Sequence, residues 1–418
     1  MKNETYDIIV IGGGPAGMMA AGRAGELGAK VLLLEKNQRL GKKLSLTGGG
    51  RCNITNAEFD VRLFLDHFPE SKKFLFSPFA QFAVRDTFDF FEKLNLPLVV
   101  EERQRAFPKV QKAESVCHVL AQYLKQSGNV TICFGEPAES LIMKDQQVVG
   151  VKTEQSKYLA KKIILATGGL ALPETGSTGD GLKMSAKLGH TIAEPDPNLA
   201  PLRSPDKWVH ELAGLSLEPI TLRFTQNKQT NIKETGRVLF THFGISGPMV
   251  INLSHQVQEL LKKGKVQAAL DLFPDHNLGE LNTLLVDLFE ANKNRLVKNI
   301  LSELFSKKLV PVILQKIGVK LGDKKVHSVT KEERKMLVDL LKDLHFVIDG
   351  TMGLDWSIVA DGGVMPKEID FKTMSSKLHP NLYLIGDVVN INRPSGGFSL
   401  QLCWTTGWVA GTHAAQNL

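Results

Sequence analysis

The sequence predicts an α/β fold: a main domain built on an open, mostly parallel sheet, with other segments inserted into it. Three features carry this prediction. A glycine-rich turn joins two apolar runs at the start of the chain, two later apolar runs also end in glycine-containing turns, and the pattern changes between residues 195 and 360. The length of 418 residues, with 43% hydrophobic and 23% charged residues, suits a globular protein of two or three domains.

The first element is a buried strand followed by a glycine turn and a helix. Residues 6–11 are apolar and largely β-branched, as in a strand covered on both faces. Gly12, Gly14 and Gly17 then form G-x-G-x-x-G, and an alanine-rich stretch leads to a second apolar run at residues 30–34. This strand–turn–helix–strand context is typical of dinucleotide binding.

Each residue of the turn has a physical role in such a site. Gly12 permits the tight turn, Gly14 lets the backbone approach a pyrophosphate, and Gly17 lets the helix pack on the strand. The helix that starts near Pro15 and Ala16 presents free N–H groups to that pyrophosphate. Glu35 lies 18 residues after Gly17, where a carboxylate can bind the two hydroxyls of an adenosine ribose.

Three later segments favour FAD over NAD, because FAD extends beyond the pyrophosphate through a ribityl chain to the flavin ring. A run at residues 161–169 contains Ala166, Thr167 and Gly168, and a run at 381–387 ends in Gly386 and Asp387. Asp387 is predicted to accept a hydrogen bond from a ribityl hydroxyl. Gly396, Gly397 and Phe398 precede a predicted helix over 399–415, whose N-terminus would stabilise negative charge at the O2/N1 edge of reduced flavin.

With these segments the chain resembles the BaiN-like flavoproteins, described as aminoacetone oxidases or bile-acid enone reductases. The matching blocks span nearly the whole chain. They are Gly41-Lys42-Lys43-Leu44, Thr47-Gly48-Gly49-Gly50-Arg51-Cys52-Asn53-Ile54-Thr55-Asn56, Phe107-Pro108, Thr178-Gly179-Asp180-Gly181, Phe240-Thr241-His242-Phe243-Gly244-Ile245-Ser246-Gly247-Pro248, Gly362-Gly363-Val364, Lys367-Glu368-Ile369, Lys372-Thr373-Met374-Ser375-Ser376-Lys377 and the C-terminal Gly-Gly-Phe-Ser-Leu-Gln segment. After Asp387 the chain departs from the family, because Val-Val-Asn-Ile-Asn-Arg-Pro-Ser lacks its acidic run.

The resemblance implies a Rossmann-like FAD-binding domain of the glutathione-reductase type, built from both ends of the chain. We expect its two parts at 1–194 and 361–418. An inserted β-rich, barrel-like domain is expected at 195–274 with 345–360, and a small helical insert at 275–344, where the pattern changes to helical periodicity with Leu, Lys and Glu.

The loop over 47–56 is rich in glycine and is expected to lie against the flavin ring near N5. The predicted FAD contacts are Gly12, Gly14, Pro15, Ala16, Gly17, Glu35, Lys36, Lys43, Thr47, Gly48, Gly49, Arg51, Cys52, Asn53, Ala166, Thr167, Gly168, Gly386, Asp387, Gly396, Gly397 and Phe398. Lys43 is a candidate for the FAD phosphates, with a solvated lysine as the alternative.

Two residues are candidates for catalysis. Arg51 could bind an anionic or carbonyl group of the substrate, or form a structural ion pair. His242 could donate or accept a proton opposite N5, or be a hydrogen-bonded structural histidine. Cys52 has no second cysteine about five residues away, so it is interpreted as a packing residue and not as a redox thiol.

The predicted function is an FAD-dependent oxidoreductase with non-covalent FAD, acting on a small organic substrate by hydride transfer at N5. An amine or aminoketone oxidase that uses oxygen, and a non-enzymatic flavin-binding regulatory module, stay open as alternatives. A third alternative, an RNA-modifying flavoenzyme, is suggested only by the basic pI. No second G-x-G-x-x-G is present, so NAD(P)H is expected at most as a transient electron donor.

The net charge and the cysteine content limit which partners and which cellular location we expect. The net charge of +7 and the pI of about 9.0 are mildly basic, and the Lys-rich stretch over 307–342 is interpreted as a solvated helical face. The expectation is a small-molecule substrate, no nucleic acid, no membrane and no metal site. Four cysteines without a Cys-x-x-Cys pair, and a start without a signal-peptide pattern, favour the cytoplasm. The sequence does not fix the oligomeric state.

Overall fold

The computed structural model describes residues 3–227, 229–318, 320–357 and 359–418. They form two compact units, Met1–Asn198 with Leu354–Leu418 and Leu199–Gly353. Unit 1 is therefore built from both ends of the chain. Its first part ends at Asn198 and its second begins at Leu354.

The first stretch of unit 1 begins with the expected strand–turn–helix–strand. Its strands and helices, in chain order, are β1 Asn3–Ile11, α1 Pro15–Glu26, β2 Val31–Glu35, α2 Thr47–Gly50, β3 Thr55–Asn56, α3 Val61–Asp66, α4 Lys72–Phe79, α5 Val84–Lys93, β4 Leu98–Glu101, β5 Arg105–Pro108, α6 Ala113–Gln126, β6 Val130–Phe134, β7 Ala138–Lys144, β8 Gln147–Thr153, β9 Lys157–Leu165, α7 Asp180–Lys187 and β10 Ile192–Asn198.

Unit 2 follows as seven strands interrupted by helices. They are β11 Leu202–Arg203, α8 Lys207–Glu211, β12 Ser216–Gln226, β13 Gln229–Thr241, β14 Gly244–Ser246, α9 Pro248–Leu261, β15 Val266–Asp271, α10 Leu278–Ala291, α11 Val297–Leu304, α12 Leu309–Ile317, α13 Lys331–Lys342, β16 Leu344–Ile348 and β17 Gly350–Thr351. The chain then returns to unit 1 with β18 Val359–Val364, β19 Ile369–Asp370, β20 Ser375–Ser376, β21 Leu382–Leu384 and α14 Phe398–Gln416.

The main sheet of unit 1 has a parallel core in the order β21-β9-β1-β2-β6. Strands β7 and β8 extend it as an antiparallel pair beside the first half of β9, and β19 and β20 extend it beyond β21. Residues 8–11 of β1 and all of β2 are buried because helices cover the faces of a parallel sheet. The carboxyl ends of these strands meet at one edge, where open α/β sheets bind ligands.

Helix α14 closes this unit by packing along α1. A Cβ added to Gly407 would lie 2.5 Å from the Ala16 carbonyl oxygen, and one on Gly411 would lie 2.4 Å from that of Ala20. Any larger residue at these two glycines would push the helices apart. The C-terminal helix is thereby held against the nucleotide-binding helix of the N-terminus.

Unit 2 is one sheet with helices around a shared apolar core. Its antiparallel sheet has the order β16-β15-β12-β13-β14-β11-β17. Helices α10 to α13 leave the sheet after β15 and return to β16, which pairs with β15, so their apolar faces and the sheet form one hydrophobic cluster. The β-rich and helical segments, expected as separate domains, therefore pack as a single unit.

Candidate functional site

Two of the three motif glycines in the turn between β1 and α1 are required because other backbone atoms lie too close for a side chain. A Cβ on Gly12 would lie 2.4 Å from the carbonyl oxygen of Ala166, and one on Gly17 would lie 1.9 Å from that of Gly12. A Cβ on Gly14 would meet no atom within 4 Å. Gly12 and Gly17 thus hold β1, β9 and α1 together, whereas Gly14 keeps one side of the turn open to a ligand.

Helix α1 offers its N-terminus to that open side. Its N-cap is Gly14, no side chain caps it, and Pro15 occupies the first helical position. The free N–H groups and the helix dipole favour an anion at this point. This is the arrangement that a pyrophosphate needs.

Glu35 lies at the end of β2 with its carboxylate already oriented. Gly13 N–H donates to Oε2 at 2.7 Å, and the backbone N–H and side-chain amide of Asn37 both donate to Oε1 at 2.7 Å. Carboxylate oxygens have further lone pairs, so these bonds leave acceptor capacity for ribose hydroxyls. Lys36, also predicted as a cofactor contact, donates to Thr178 Oγ1 and to Asp180 Oδ2, each at 2.6 Å.

Three charged residues meet near the carboxyl end of β21. Lys43 Nζ lies 3.9 Å from Asp387 Oδ2, and Arg393 Nη1 lies 3.2 Å from Asp387 Oδ1, without hydrogen-bond geometry. Lys43 Nζ, Asp387 Oδ1 and the Arg393 Nε and Nη1 atoms are buried with no hydrogen-bond partner. We call these three residues the charged triad.

Arg393 was not predicted from the sequence. Its side chain is 1% exposed, and Nη2 donates to the carbonyl oxygens of Gly386 at 2.6 Å and Val389 at 3.1 Å. A single arginine in a loop gives no sign of such burial, and the only signal was the departure from the family after Asp387. Burial lowers the pKa of Lys43, while the Asp387 carboxylate opposes that shift.

The loop over 47–56 is shaped by left-handed glycines. Gly48 and Gly49 have φ of 58° and 67°, which only glycine adopts readily. Cys52 is fully buried, and burial raises the pKa of its thiol to about 12. Such a thiol is protonated at neutral pH, so Cys52 packs and does not act as a nucleophile. Asn53 Oδ1 is buried without a hydrogen-bond partner.

The end of this loop lies against the start of α14. A Cβ on Gly397 would lie 2.2 Å from the carbonyl carbon of Thr55, and Asn56 Nδ2 donates to the Gly396 carbonyl oxygen at 3.3 Å. Farther along the helix, Trp404 Nε1 donates to the Ile54 carbonyl oxygen at 2.9 Å. The N-cap of α14 is Gly397, with no side-chain cap. Two chain segments far apart in sequence thus meet at an uncapped helix N-terminus.

The two predicted catalytic residues lie in different units. The Arg51 guanidinium in unit 1 contacts Glu101 Oε1 at 2.9 Å and Gln111 Oε1 at 2.9 Å, and lies 4.0 Å from the Phe107 ring centroid. His242 is exposed in the turn between β13 and β14 of unit 2, with its ring 4.9 Å from that of Phe243. Beside it, Thr241 Oγ1 is buried with no hydrogen-bond partner.

The geometry of unit 1 fits FAD. Unit 1 contains four features that FAD needs. They are the open glycine turn at the uncapped N-terminus of α1, the oriented carboxylate of Glu35, the buried polar atoms of the charged triad, and the uncapped N-terminus of α14. Between them Ala166, Thr167 and Gly168 follow β9, and Gly181 packs so closely that its Cβ would lie 2.1 Å from Thr167 Oγ1. A dinucleotide with polar groups along its whole length matches this series of partners.

A comparison with protein families shows to which family the chain belongs. Residues 6–413 match the family described as the HI0933-like protein Rossmann domain. The chain belongs to this family. The match confirms the resemblance to FAD-dependent enzymes, a Rossmann-type FAD-binding α/β fold, and an FAD-dependent oxidoreductase.

Curated relatives cover the chain almost end to end. It is 29% identical over 404 residues to a ribosomal RNA dihydrouridine synthase of Haemophilus influenzae, covering 96% of each chain. It is 28% identical over 411 residues to a 3-dehydro-bile acid delta(4,6)-reductase of Clostridium scindens, covering 98% of each. Because proteins named for RNA modification are among the relatives, the expectation that no nucleic acid is bound loses its support.

Solved structures share the fold at low sequence identity. A 3-ketosteroid delta1-dehydrogenase of Sterolibacterium denitrificans matches with a TM-score of 0.58 at 14% identity, covering 100% of both chains. A 3-ketosteroid-delta4-(5alpha)-dehydrogenase of Rhodococcus jostii matches with a TM-score of 0.56 at 15% identity, covering 99% of this chain and 98% of that one. Across the described ranges, no helix combines the length and apolar character needed to cross a bilayer.

Proposed function

We propose that the protein is a reductase with non-covalently bound FAD that adds a hydride and a proton across a polarised C=C bond of an organic substrate. Bound FAD supplies the hydride from N5. The proposal includes an FAD domain of the glutathione-reductase type. It also treats the segment after residue 194 as an inserted β-rich, barrel-like domain with a small helical part.

The observation that carries the proposal is the contact between Gly397 and Thr55. It brings the uncapped N-terminus of α14 next to the glycine loop over 47–56. A helix N-terminus stabilises the negative charge that a reduced flavin carries at its N1/O2 edge. Gly48 and Gly49, which are left-handed, add no side chains where the loop is expected to lie against N5. One edge of the ring would be stabilised and the other left accessible to a substrate.

Thiol chemistry is a poor alternative for this site. The only cysteine of the flavin loop, Cys52, has its pKa raised to about 12 by burial. The names of the relatives favour C=C chemistry instead. One is named as a delta(4,6)-reductase, and another as a dihydrouridine synthase, a name that implies saturation of the uracil C5=C6 bond.

In this proposal the protein supplies the proton and the substrate contact. His242 is assigned to the proton because an imidazole can both donate and accept one. Arg51 is assigned to a carbonyl or anionic group of the substrate, which would replace Glu101 at the guanidinium. We expect His242→Gln to lower kcat and change its pH profile, and Arg51→Lys mainly to raise KM.

The test is anaerobic reduction followed by a choice of acceptor. The FAD-loaded protein is titrated with NADH or NADPH until its visible bands bleach, then mixed without oxygen with a conjugated enone. Reoxidation of the flavin with formation of the saturated ketone supports the proposal. Bleaching by an amine, with reoxidation only by oxygen, would overturn it in favour of an oxidase.

A second candidate is reduction of a uridine in ribosomal RNA. It is favoured by the relatives of that name, which match over 96% of the chain. The test mixes the same reduced protein with ribosomal RNA from cells in which the gene for this protein is deleted. The nucleosides of the RNA are then analysed by mass spectrometry. A mass increase of about 2 Da on uridine, from the two hydrogens added, supports this candidate; an unchanged RNA beside an active enone assay would reject it.

A further inference from the structure

The positive charge of the molecule is concentrated in one segment of unit 2. Residues 293–335 contain twelve Lys and Arg against four Asp and Glu, a net charge of +8, whereas the whole chain has +7. The rest of the chain is therefore close to neutral. This segment contains α11, α12 and the start of α13.

The fold brings two basic stretches of this segment together. Leu296 and Lys325 form an antiparallel bridge. Around it, Val297 N–H donates to the Lys324 carbonyl oxygen at 3.0 Å, and Val326 N–H donates to that of Arg295 at 2.9 Å. The stretch with Lys293, Arg295 and Lys298 thus runs beside the stretch with Lys320, Lys324 and Lys325.

Helix α13 adds two more lysines. Lys324 forms an ion pair with Glu333, which ties the first turn of the helix to the paired stretches. Lys331 and Lys335 are four residues apart and share one helix face. We call the eight residues the basic face: Lys293, Arg295, Lys298, Lys320, Lys324, Lys325, Lys331 and Lys335.

Among the residues that the structure describes, four of the eight residues of the basic face form ion pairs, and four do not. Lys293, Arg295, Lys298 and Lys324 form ion pairs with Glu290, Glu303, Asp323 and Glu333. Within the described part of the chain, no ion pair is recorded for the other four, and all four are exposed: Lys320, Lys325, Lys331 and Lys335. Surface ion pairs contribute little, so a phosphate can also replace the acidic partner of the first four.

We propose that the basic face binds the sugar-phosphate backbone of structured RNA. The proposal rests on the second candidate function above, which it extends by naming the contact surface. Closely spaced lysines match the repeated phosphates of a polyanion. The segment contains one aromatic residue, Phe305, and base stacking needs several exposed rings, so the face is suited to backbone contact and not to single-stranded bases.

The experiment compares two variants of equal charge change in the full-length FAD-loaded protein. The first carries Lys320→Gln, Lys325→Gln, Lys331→Gln and Lys335→Gln. The control replaces four exposed lysines of unit 1, Lys93, Lys109, Lys125 and Lys144, by Gln. Filter binding to a structured fragment of ribosomal RNA is measured from about 50 to 200 mM salt, the range over which phosphate contacts lose affinity.

We expect the basic-face variant to bind at least roughly tenfold more weakly, with a salt slope smaller by up to about 0.9 for each lost phosphate contact. The control variant should bind within about twofold of the original protein, since charges beyond a Debye length are screened. Equal losses in both variants, or no loss in either, would overturn the proposal. Binding to anionic phospholipid vesicles without binding to RNA would overturn it as well.

The outcome is separable from that of the proposed function. Both variants should keep the same thermal unfolding midpoint and the same enone reduction. If RNA binding depends on the basic face but no dihydrouridine is formed, the basic face is supported as an RNA-binding surface and RNA is rejected as the substrate. If the original protein and both variants form dihydrouridine equally, the basic face does not bind the RNA, but reduction of uridine is still supported.

Discussion

The two units of the molecule differ in how they use their residues. Unit 1 buries charged atoms that have no hydrogen-bond partner, such as Lys43 Nζ and Arg393 Nε, and its turn after β1 has no room for a side chain at Gly12 or Gly17. Unit 2 has a continuous apolar core and exposes its charge, with a net +8 over residues 293–335. A cofactor site needs close backbone approach and unsatisfied polar groups, whereas a partner surface needs exposed charge. This difference agrees with the two proposals, FAD bound by unit 1 and RNA bound by the basic face of unit 2.

The largest effect on FAD binding is expected from Gly17→Ala. Its Cβ would lie 1.9 Å from the Gly12 carbonyl oxygen, so α1 must move away from β1. We expect a loss of about 3 kcal/mol in the free energy of unfolding and no measurable FAD binding. Urea unfolding followed by circular dichroism measures the first quantity. If the variant unfolds like the original protein, the close contact is not a constraint.

The largest effect on the free energy of unfolding is expected from Arg393→Met. It removes the ion-pair partner of Asp387 and the donor to the Gly386 and Val389 carbonyl oxygens, and leaves buried groups unpaired. Breaking a buried pair in this way costs about 3–5 kcal/mol. Arg393→Lys keeps the charge and should recover part of the stability. Equal free energies of unfolding for the two variants would show that the charge of Arg393 does not contribute to stability.

Ile313→Ala sharpens the contrast between the units. Ile313 is fully buried in the core of unit 2, so truncation should destabilise that unit by about 2–5 kcal/mol. FAD affinity should stay the same, because every residue assigned to FAD lies in unit 1. Gln315→Ala, on the same helix but exposed, is the matched control. A parallel loss of FAD affinity in the folded Ile313 variant would contradict this division.

Glu35→Gln should lower FAD affinity about tenfold to one hundredfold, since hydrogen bonds to a charged group contribute about 1.5–3 kcal/mol. FMN has no adenosine ribose, so any weak FMN binding should not change. Titration by flavin fluorescence measures both ligands. An unchanged FAD affinity would mean that the carboxylate serves only Gly13 and Asn37.

The smallest effect concerns the thiols. Burial raises the pKa of Cys52 and of Cys403 to about 12 from an ordinary value of 9.0. At pH 8 we expect an alkylating reagent to label Cys133, which is partly exposed, before the other three cysteines. Between pH 9 and about 12 the unfolded thiols ionise first, so stability should fall as the pH rises. Rapid labelling of Cys52 in the native protein would contradict its role as a packing residue.

The sequence was sufficient for the parts of the site that depend on local pattern. Gly12, Gly14, Gly17 and Glu35 belong to one short strand–turn–helix–strand segment, and the structure forms that segment where the sequence predicts it. The start of α14 could also be predicted, because Gly396 and Gly397 precede a long apolar helix.

Contacts between distant parts of the chain could not be predicted. Arg393 is buried only because the loop after Asp387 folds back on the carbonyl oxygens of Gly386 and Val389. The partner of Arg51, Glu101, is fifty residues away on β4. Likewise, helical periodicity over 275–344 does not reveal that β15 and β16 pair around the helices and make one core.

The most direct test of the FAD site is a titration of Gly14→Ala with FAD. A Cβ at this position would meet no protein atom within 4 Å, and Gly14 has a φ of −78° that alanine adopts without strain. The account predicts a variant as stable as the original protein that binds FAD at least about one hundredfold more weakly, because the Cβ occupies the approach of the pyrophosphate. Unchanged FAD affinity in a stable Gly14→Ala variant would contradict the account.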